Sequence, residues 1–470
     1  MTTSPVTSAQ ADTPPGWSSV FIPLVTSNNL VQPVARVNVP YFNNDASTNF
    51  SKAAIFWFGT VSSSNNYADV RFGYDSTKLW VHLTAFDRYM WYDPTPSANT
   101  LTEWDGATLY INTTGNAGSQ LSASAYRFDA SLKWHIDEQQ VNYQTAFQGS
   151  GSGWNPTALS FTTGSGYRGS FNDAINNDGW TVSFSIPFTS LGLSGAPTDG
   201  SLWAVALQMH DRDSLAGPPN ADTPWPAGLN TTQPRTWAQL RFGLPSTGAL
   251  NGTPAGTTIV RRATQNDGSV PDSGVGGSTP DLCSGDNWDT WGNTSIASDG
   301  KPYGKQPNMN IQAQSDPADW HCYSKYYITF PLTSVPAGKQ ILSARLVLYQ
   351  FGNSDGNPPP TGSLIQVFTV SPNWQETSIT WNNAPGPIEN VSQTLVTSPT
   401  NLNSMAWPKQ PHYWDVSSAV RAAYTSGQPL SLALYEADDQ YHSGKYFTSS
   451  DTGDWNIAGR PRLEITWGNP

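Results

Sequence analysis

Asp178-Gly179-Trp180-Thr181-Val182-Ser183-Phe184-Ser185-Ile186-Pro187-Phe188 places large apolar side chains on alternate positions. Trp180, Val182, Phe184 and Ile186 fall on one side, and Thr181, Ser183 and Ser185 on the other. A period of two is the signature of a strand with one face in a core. The turn formers Asn177-Asp178-Gly179 precede it. The same period recurs outward in both directions, at 68–72, Lys78–Phe86, 107–112 and 202–209, and later at 340–349, 364–370, 430–435 and 462–467. Tyr74-Asp75-Ser76 and Gly352-Asn353-Ser354-Asp355-Gly356 are among the turns between them. Helical spacing is confined to 416–423 and the turn 187–191. Many short strands with frequent turns predict an all-β chain, built as two jelly-roll-like β-sandwich domains in tandem.

Composition agrees. Charged residues are 12% of the 470, against about 25% in an average domain. There are 20 Trp, 19 Tyr and 18 Phe, and this aromatic load favours sheet over disorder. The net charge is −12, and the only basic cluster is the pair Arg261-Arg262. That balance disfavours nucleic acid and anionic membrane surfaces as partners. No apolar run approaches the length of a membrane span, about 18 residues, so no membrane insertion is expected.

The stretch 244–258, Leu-Pro-Ser-Thr-Gly-Ala-Leu-Asn-Gly-Thr-Pro-Ala-Gly-Thr-Thr, reads as a boundary because it is small, uncharged and rich in turn formers. The expected division is a leader or unstructured segment 1–15, a first sandwich 16–245, a linker 246–255 and a second sandwich 256–470. A Gly/Ser-rich stretch, 268–286, reads as a surface excursion carrying Asp272, Asp281 and Asp286. Ala9-Gln10-Ala11 has the form of a signal-peptidase site without the charged and apolar regions before it. The expectation is an extracellular protein whose signal peptide is missing from this sequence. Cys283 and Cys322 are the only cysteines; one disulfide is the simplest reading, and two buried thiols the alternative.

Several stretches of the first half follow one order. Tyr67-Ala68-Asp69-Val70-Arg71-Phe72-Gly73-Tyr74-Asp75 and Leu79-Trp80-Val81-His82-Leu83 read as a hairpin. Glu103-Trp104-Asp105-Gly106-Ala107-Thr108-Leu109-Tyr110-Ile111 follows, then the 178–188 strand with Leu191-Gly192-Leu193, then Arg235-Thr236-Trp237-Ala238-Gln239-Leu240-Arg241-Phe242. Over 40–243 this resembles the family 9 carbohydrate-binding module and its DOMON-like relatives. The resemblance implies a β-sandwich that binds sugar between Trp side chains, often with structural calcium; a minority of DOMON-like relatives bind haem. One departure is the order Asp105-Gly106, where that family usually carries Gly-Asp.

In the second half, Lys325-Tyr326-Tyr327-Ile328-Thr329-Phe330-Pro331-Leu332 leads to Ile341-Leu342-Ser343-Ala344-Arg345-Leu346-Val347-Leu348-Tyr349. Asn373-Trp374-Gln375-Glu376-Thr377-Ser378-Ile379-Thr380-Trp381-Asn382-Asn383-Ala384-Pro385, Trp414-Asp415-Val416 and Arg460-Pro461-Arg462-Leu463-Glu464-Ile465-Thr466-Trp467 follow. Over 256–469 this resembles the DNRLRE domain, carbohydrate-binding module family 96. The resemblance implies a jelly-roll sandwich of extracellular proteins and a polysaccharide partner. Asp415 is placed to cap the short helix after it.

Aromatic faces stack on the C–H face of a sugar ring, while polar groups read its hydroxyls. The candidates in polar, loop-like surroundings are Tyr89, Trp91, Tyr92, Trp104, Trp134, Trp154 and Trp225; ordinary core is the alternative, and is expected for Trp180, Trp203 and Trp237. Arg127, Gln208 and Asp213 could add hydrogen bonds, or serve only local salt bridges and caps. Asp281, Asp286 and Asp289, or Asp211 and Asp213, offer hard oxygens for a structural calcium. Met90 and His210 are the only residues offered for haem, and the cofactor is not expected.

No G-x-S-x-G, H-E-x-x-H or P-loop occurs. Were the chain a glycoside hydrolase, its carboxylates would come from Asp87, Glu103, Asp105, Asp137, Glu138, Asp211 and Asp213. Were it a polysaccharide lyase, His135, or His210 near Arg212, would be the base. The expected function is a secreted polysaccharide-binding protein with two non-catalytic modules. A carbohydrate-active enzyme and an extracellular structural protein are the alternatives.

Overall fold

The 178–188 strand forms as its alternation predicts. In the computed structural model, Gly179–Pro187 pairs antiparallel with Lys78–Phe86, setting Trp180 opposite Ala85 and Ile186 opposite Leu79. The structure describes residues 34–42, 50–116, 118–134, 141–245, 248–277, 287–354, 362–438 and 443–470. The Ala9-Gln10-Ala11 site and Cys283, Asp281, Asp286, His135, Asp137 and Glu138 lie outside them.

The first sandwich has a five-stranded sheet in the order Ala54–Ser62, Asn65–Tyr74, Lys78–Phe86, Gly179–Pro187, Thr162–Arg168. Facing it are Ala238–Phe242, Leu202–His210, Gly106–Asn112, Ala125–Ser131 and Gln144–Gly149. Trp180, Val182, Phe184 and Ile186 meet Leu109, Phe128, Leu207 and Leu240 between the sheets. Full burial of each large apolar side chain is worth about 1.5–3 kcal/mol. Trp203 joins this core, and Trp237 is buried on the other side of its sheet. The turn expected at 187–191 is the 3-10 turn Phe188–Leu191, closed by Gly192 at φ +76°.

The second sandwich packs Asp272–Gly276, Ser324–Phe330, Leu430–Glu436, Ser363–Val370 and Pro387–Val396 against a six-stranded sheet. That sheet contains Pro254–Arg261, Arg462–Gly468, Gln340–Asn353, Lys445–Thr448, Asn308–Ile311 and Gln410–Asp415. Leu346, Leu348, Val367, Leu432, Trp414 and Leu463 fill its core. Pro254–Arg261 begins inside the expected linker. A Cβ at Gly256 would lie 2.4 Å from the Trp467 ring, so only glycine lets that strand close on the sheet. The N-cap position of the helix Ser417–Ser426 falls on Val416, one residue after Asp415, which accepts from Ser417 N at 2.9 Å, and the helix ends at Gly427 with φ +68°.

Two expectations change. Asp272 does not ride on a surface excursion: it sits in a strand, 1% exposed, and accepts from Tyr326 Oη at 2.6 Å. Nor is the polar side of the 178–188 strand open to water: Thr181 and Ser183 are half-buried and Ser185 is buried. The second sandwich covers much of the outer side of that five-stranded sheet, so Ile55, Trp57, Tyr67 and Phe86 pack with Trp320, Tyr323, Trp381 and Tyr435. Val34–Pro470 is accordingly one compact unit. The backbones also meet, because Arg36–Val39 pairs with Ala238–Phe242 and touches the second sandwich at Glu389. There Asn38 and Asn390 exchange three hydrogen bonds of 2.7–2.9 Å.

Candidate functional site

The carboxylates picked from separate parts of the sequence converge at one end of the first sandwich. Asp87 leaves the strand Lys78–Phe86, Asp105 precedes Gly106–Asn112, and Asp211 and Asp213 follow Leu202–His210. One oxygen each from Asp87, Asp211 and Asp213 lies within 4.8 Å of the others. Asp87 accepts from Trp180 Nε1 at 2.7 Å and Tyr89 N at 3.0 Å. Asp105 accepts from Trp91 N at 2.6 Å and Arg212 N at 2.8 Å. The Asn220 amide bridges Asp211 and Asp213, 2.8 Å from each.

Burial drives the electrostatics of this cluster. It raises Asp87 and Asp105 well above the usual carboxylate range, and the neighbouring aspartates add to the rise. Asp211 is pushed up to about 6 by burial and by the charge of Asp213. Asp211 Oδ1 and the Asn66 amide nitrogen are buried without a well-formed hydrogen bond. Anionic oxygens that repel one another suit a hard divalent cation. Asp87, Asp211 and Asp213 would hold it. Glu103 stands outside this cluster, its backbone carbonyl accepting from Arg212 at 3.0 Å.

A second arrangement lies on the outer face of the facing sheet. Alternation sends Ala107, Leu109 and Ile111 inward, and Thr108 and Tyr110 outward, with Arg127 and Gln208 beside them on the flanking strands. The polar groups form a continuous row. Arg127 holds both oxygens of Asp129 at 2.8 Å, and Thr108 Oγ1 bridges Asp129 at 2.7 Å and His210 Nε2 at 2.8 Å. His210 Nδ1 meets Asp222 at 2.7 Å, and Gln208 joins Asp222 at 3.1 Å to the Tyr110 hydroxyl at 2.5 Å. Tyr110, Trp154 and Trp237 cluster beside the row, with Trp154 and Trp237 nearly parallel at 11° and 6.4 Å between centroids. Trp154 is half-buried, and its Nε1–H finds no acceptor among the described residues.

The remaining candidates divide. Trp91 and Trp104 are half-buried beside the acidic cluster, with the Arg212 guanidinium 4.7 Å from the Trp104 ring centre. Tyr89 is stacked by Arg88 at 4.9 Å. Trp134 is exposed. Trp225 is corrected: it is 6% exposed and stacks on Phe56 at 4.0 Å, inside the core. Its short strand, Thr223–Trp225, pairs with Leu202–His210, which carries the indole inward. Tyr92 is likewise core, against Phe171. Met90 is fully buried in that core, while His210 belongs to the outward row. Asp289 accepts from Ser63 N at 2.9 Å across the interface. Cys322 is buried at the end of the 3-10 turn Pro317–Cys322.

Tyr110 and Asp222 were not singled out by the sequence. The alternation along 107–112 carries the signal for Tyr110. Asp222 has none, since it sits in a loop that folds back onto the sheet.

Residues 287–466 match the family model of carbohydrate-binding module family 96. Among solved structures, the chain is similar to a carbohydrate-binding module family 9 from Caldicellulosiruptor kristjanssonii in complex with cellotriose. That match has 12% identity and a TM-score of 0.33, and covers 46% of this chain and 98% of the other. The same module in complex with glucose matches at 12% identity and a TM-score of 0.31, covering 45% and 97%. No curated protein matches the sequence.

Proposed function

We propose that the protein binds polysaccharide, with a sugar docked on the outer face of the first sandwich beside Trp154. The observation that carries this is the polar row from Arg127 to Gln208 and Asp222, laid along the aromatic cluster Tyr110, Trp154 and Trp237. Arg127 and Gln208 are donors, and Asp222 is a half-exposed acceptor. The accessible part of the aromatic cluster is the half-buried Trp154, with Tyr110 and Trp237 buried behind it, and an aromatic face with convergent polar groups is the usual make-up of a sugar site. The family 96 match over the second sandwich supports the same ligand class.

The cluster Asp87, Asp211 and Asp213 takes a calcium ion in this reading. The ion ties two chain segments together, the one after Lys78–Phe86 and the one after Leu202–His210, and supplies charge balance, with no part in bond breaking. Secretion and a Cys283–Cys322 disulfide belong to the same proposal.

The test is depletion of the full chain from solution by a panel of polysaccharides, with and without calcium, assayed together with release of reducing sugar. Depletion without release, weakened by Gln208→Ala and Trp154→Ala, is the expected result. Released oligosaccharide would replace this reading with an enzyme. The absence of both depletion and release would refute it.

A further inference from the structure

The six-stranded sheet of the second sandwich ends on an open strand. Pro254–Arg261 is eight residues long and, among the described strands, pairs with Arg462–Gly468 alone. The N–H and C=O groups along its other side meet no hydrogen-bond partner among the described residues. Such a row is a template for another extended strand.

The edges of the first sandwich are covered. Gln366, from the second sandwich, donates to Ala53 O at 2.7 Å and accepts from Ile55 N at 3.3 Å. Asn382 accepts from Val61 N at 2.7 Å and donates to Val61 O at 2.8 Å. Side-chain amides thus stand in for a neighbouring strand along Ala54–Ser62. At the opposite edge, Thr162–Arg168, Gln144 accepts from Thr163 N at 3.1 Å. Pro254–Arg261 has no such cover. Its one proline and its bulge both lie at the start, between Pro254 and Gly256, and no charged residue precedes Arg261. Thr257 and Ile259 face outward, Ile259 with 58% of its surface exposed.

We propose that two copies of this chain pair antiparallel through this edge, joining their six-stranded sheets about a two-fold axis at Thr258. Strand faces alternate, so a second strand must meet this one with exposed positions opposite exposed positions. Centring the pair on Thr258 sets Thr257 of one copy opposite Ile259 of the other, and Gly256 opposite Val260. Each Ile259 gains a β-branched neighbour, a kind of cross-strand pair that stabilises sheets. Charge permits the approach. The chain carries a net −12, yet the residues beside this edge are Arg261, Arg345 and Arg462 against Glu464. The two Arg261 side chains would stand six residues apart along the paired strands, about 20 Å. The register therefore closes on itself with faces matched and like charges apart, which fits a second copy. The association is independent of the sugar site.

Sedimentation velocity of the full chain between about 1 and 100 μM should show a dimer that grows with concentration. Ile259→Lys puts a charge in the middle of the edge and should weaken the dimer at least about tenfold. Ile175→Lys, at a side chain 62% exposed on the first sandwich, should leave it intact. Unchanged near-ultraviolet circular dichroism checks that both variants are folded. Under mild oxidation Thr258→Cys should give a cross-linked dimer, because residue 258 faces its own copy with Cβ atoms about 5 Å apart. Arg261→Cys, about 20 Å from its copy, should not. The wild type oxidised beside them reads any cross-link made by its own cysteines. A chain that stays monomeric up to about 100 μM would overturn the proposal. So would a dimer that Ile259→Lys leaves intact, or cross-linking as efficient at 261 as at 258.

Discussion

The Lys325 ammonium, on the second sandwich, donates a 2.5 Å hydrogen bond to the phenol oxygen of Tyr67, on the first. Tyr67 passes the contact on to Asp69 at 2.7 Å, and Tyr435 donates to the other oxygen of Asp69 at 2.7 Å. Trp381 closes over the ammonium at 3.3 Å from its ring centre, and Trp57 lies at 4.6 Å. A cation buried against aromatic faces and a nearby carboxylate thus fastens one sandwich to the other. Burial pushes Lys325 well below the usual lysine range and Asp69 above the carboxylate range, each charge opposing the other's shift.

Lys325→Met keeps the side-chain volume and removes the charge that Asp69 faces. Stripping a buried ion of its partner costs about 3–5 kcal/mol. Urea unfolding should show a loss of that order, and Asp69→Asn added to it should recover most of the loss. No recovery would mean that packing, not charge, makes the contact.

His82 sets a pH dependence. Its Nε2 lies 2.9 Å from Ser315 O and its Nδ1 2.7 Å from Ser183 Oγ, so a neutral ring donates to the carbonyl and accepts from the hydroxyl. Burial, and then the Arg71 charge, hold its pKa at about 4. The unfolded chain, with an imidazole pKa of about 6.5, takes up the proton first. Stability from the neutral ring is complete above that value and is lost as pH falls toward 4, by about 3 kcal/mol in all. The gap in unfolding free energy between the wild type and His82→Gln should shrink as pH falls from 8 to 4, and taking that difference separates His82 from Asp211, whose raised pKa works in the opposite sense. His412, also held at about 4 by burial, leaves a residual slope.

Calcium should raise the melting temperature. An ion at about 100 times its dissociation constant adds about 2.7 kcal/mol, which is about 3 °C for a chain of this size. Asp211→Asn should abolish the gain. In the presence of chelator the same substitution should be neutral or stabilising, since it relieves repulsion among buried carboxylates. Scanning calorimetry with calcium and with chelator reads both signs.

Trp225→Ala and Trp154→Ala separate core from site. Removing Trp225 from its stack on Phe56 should cost about 3–5 kcal/mol, with sugar binding kept in the fraction that stays folded. Trp154→Ala should do the reverse, weakening depletion by polysaccharide with a smaller loss of stability. Calorimetry and depletion on the same two variants decide it.

The period of two along 178–188, 107–112 and 202–209 fixed which side chains share a face, and so the all-β class and the cores around Trp180 and Leu346. It also brought Asp87, Asp105, Asp211 and Asp213 into consideration, because acidic residues beside strand ends stand out in a chain with so little charge. Trp225 misled for the same reason. Its polar neighbours suggest a loop, while three residues of pairing turn it inward. Thr257-Thr258-Ile259 carries no local mark, since nothing near it in sequence tells an edge strand from a central one.

The sequence by itself determined the strands, their inward faces and the two sandwiches. Only the tertiary structure decided what covers the outward faces. Alternation reports a side chain's direction relative to its own strand, and is silent on what arrives from far along the chain. Tyr435 reaches Asp69 across 366 positions, and Asn390 reaches Asn38 across 352. Such contacts turn the polar side of one sheet into an interface while leaving Trp154 and Ile259 at the surface.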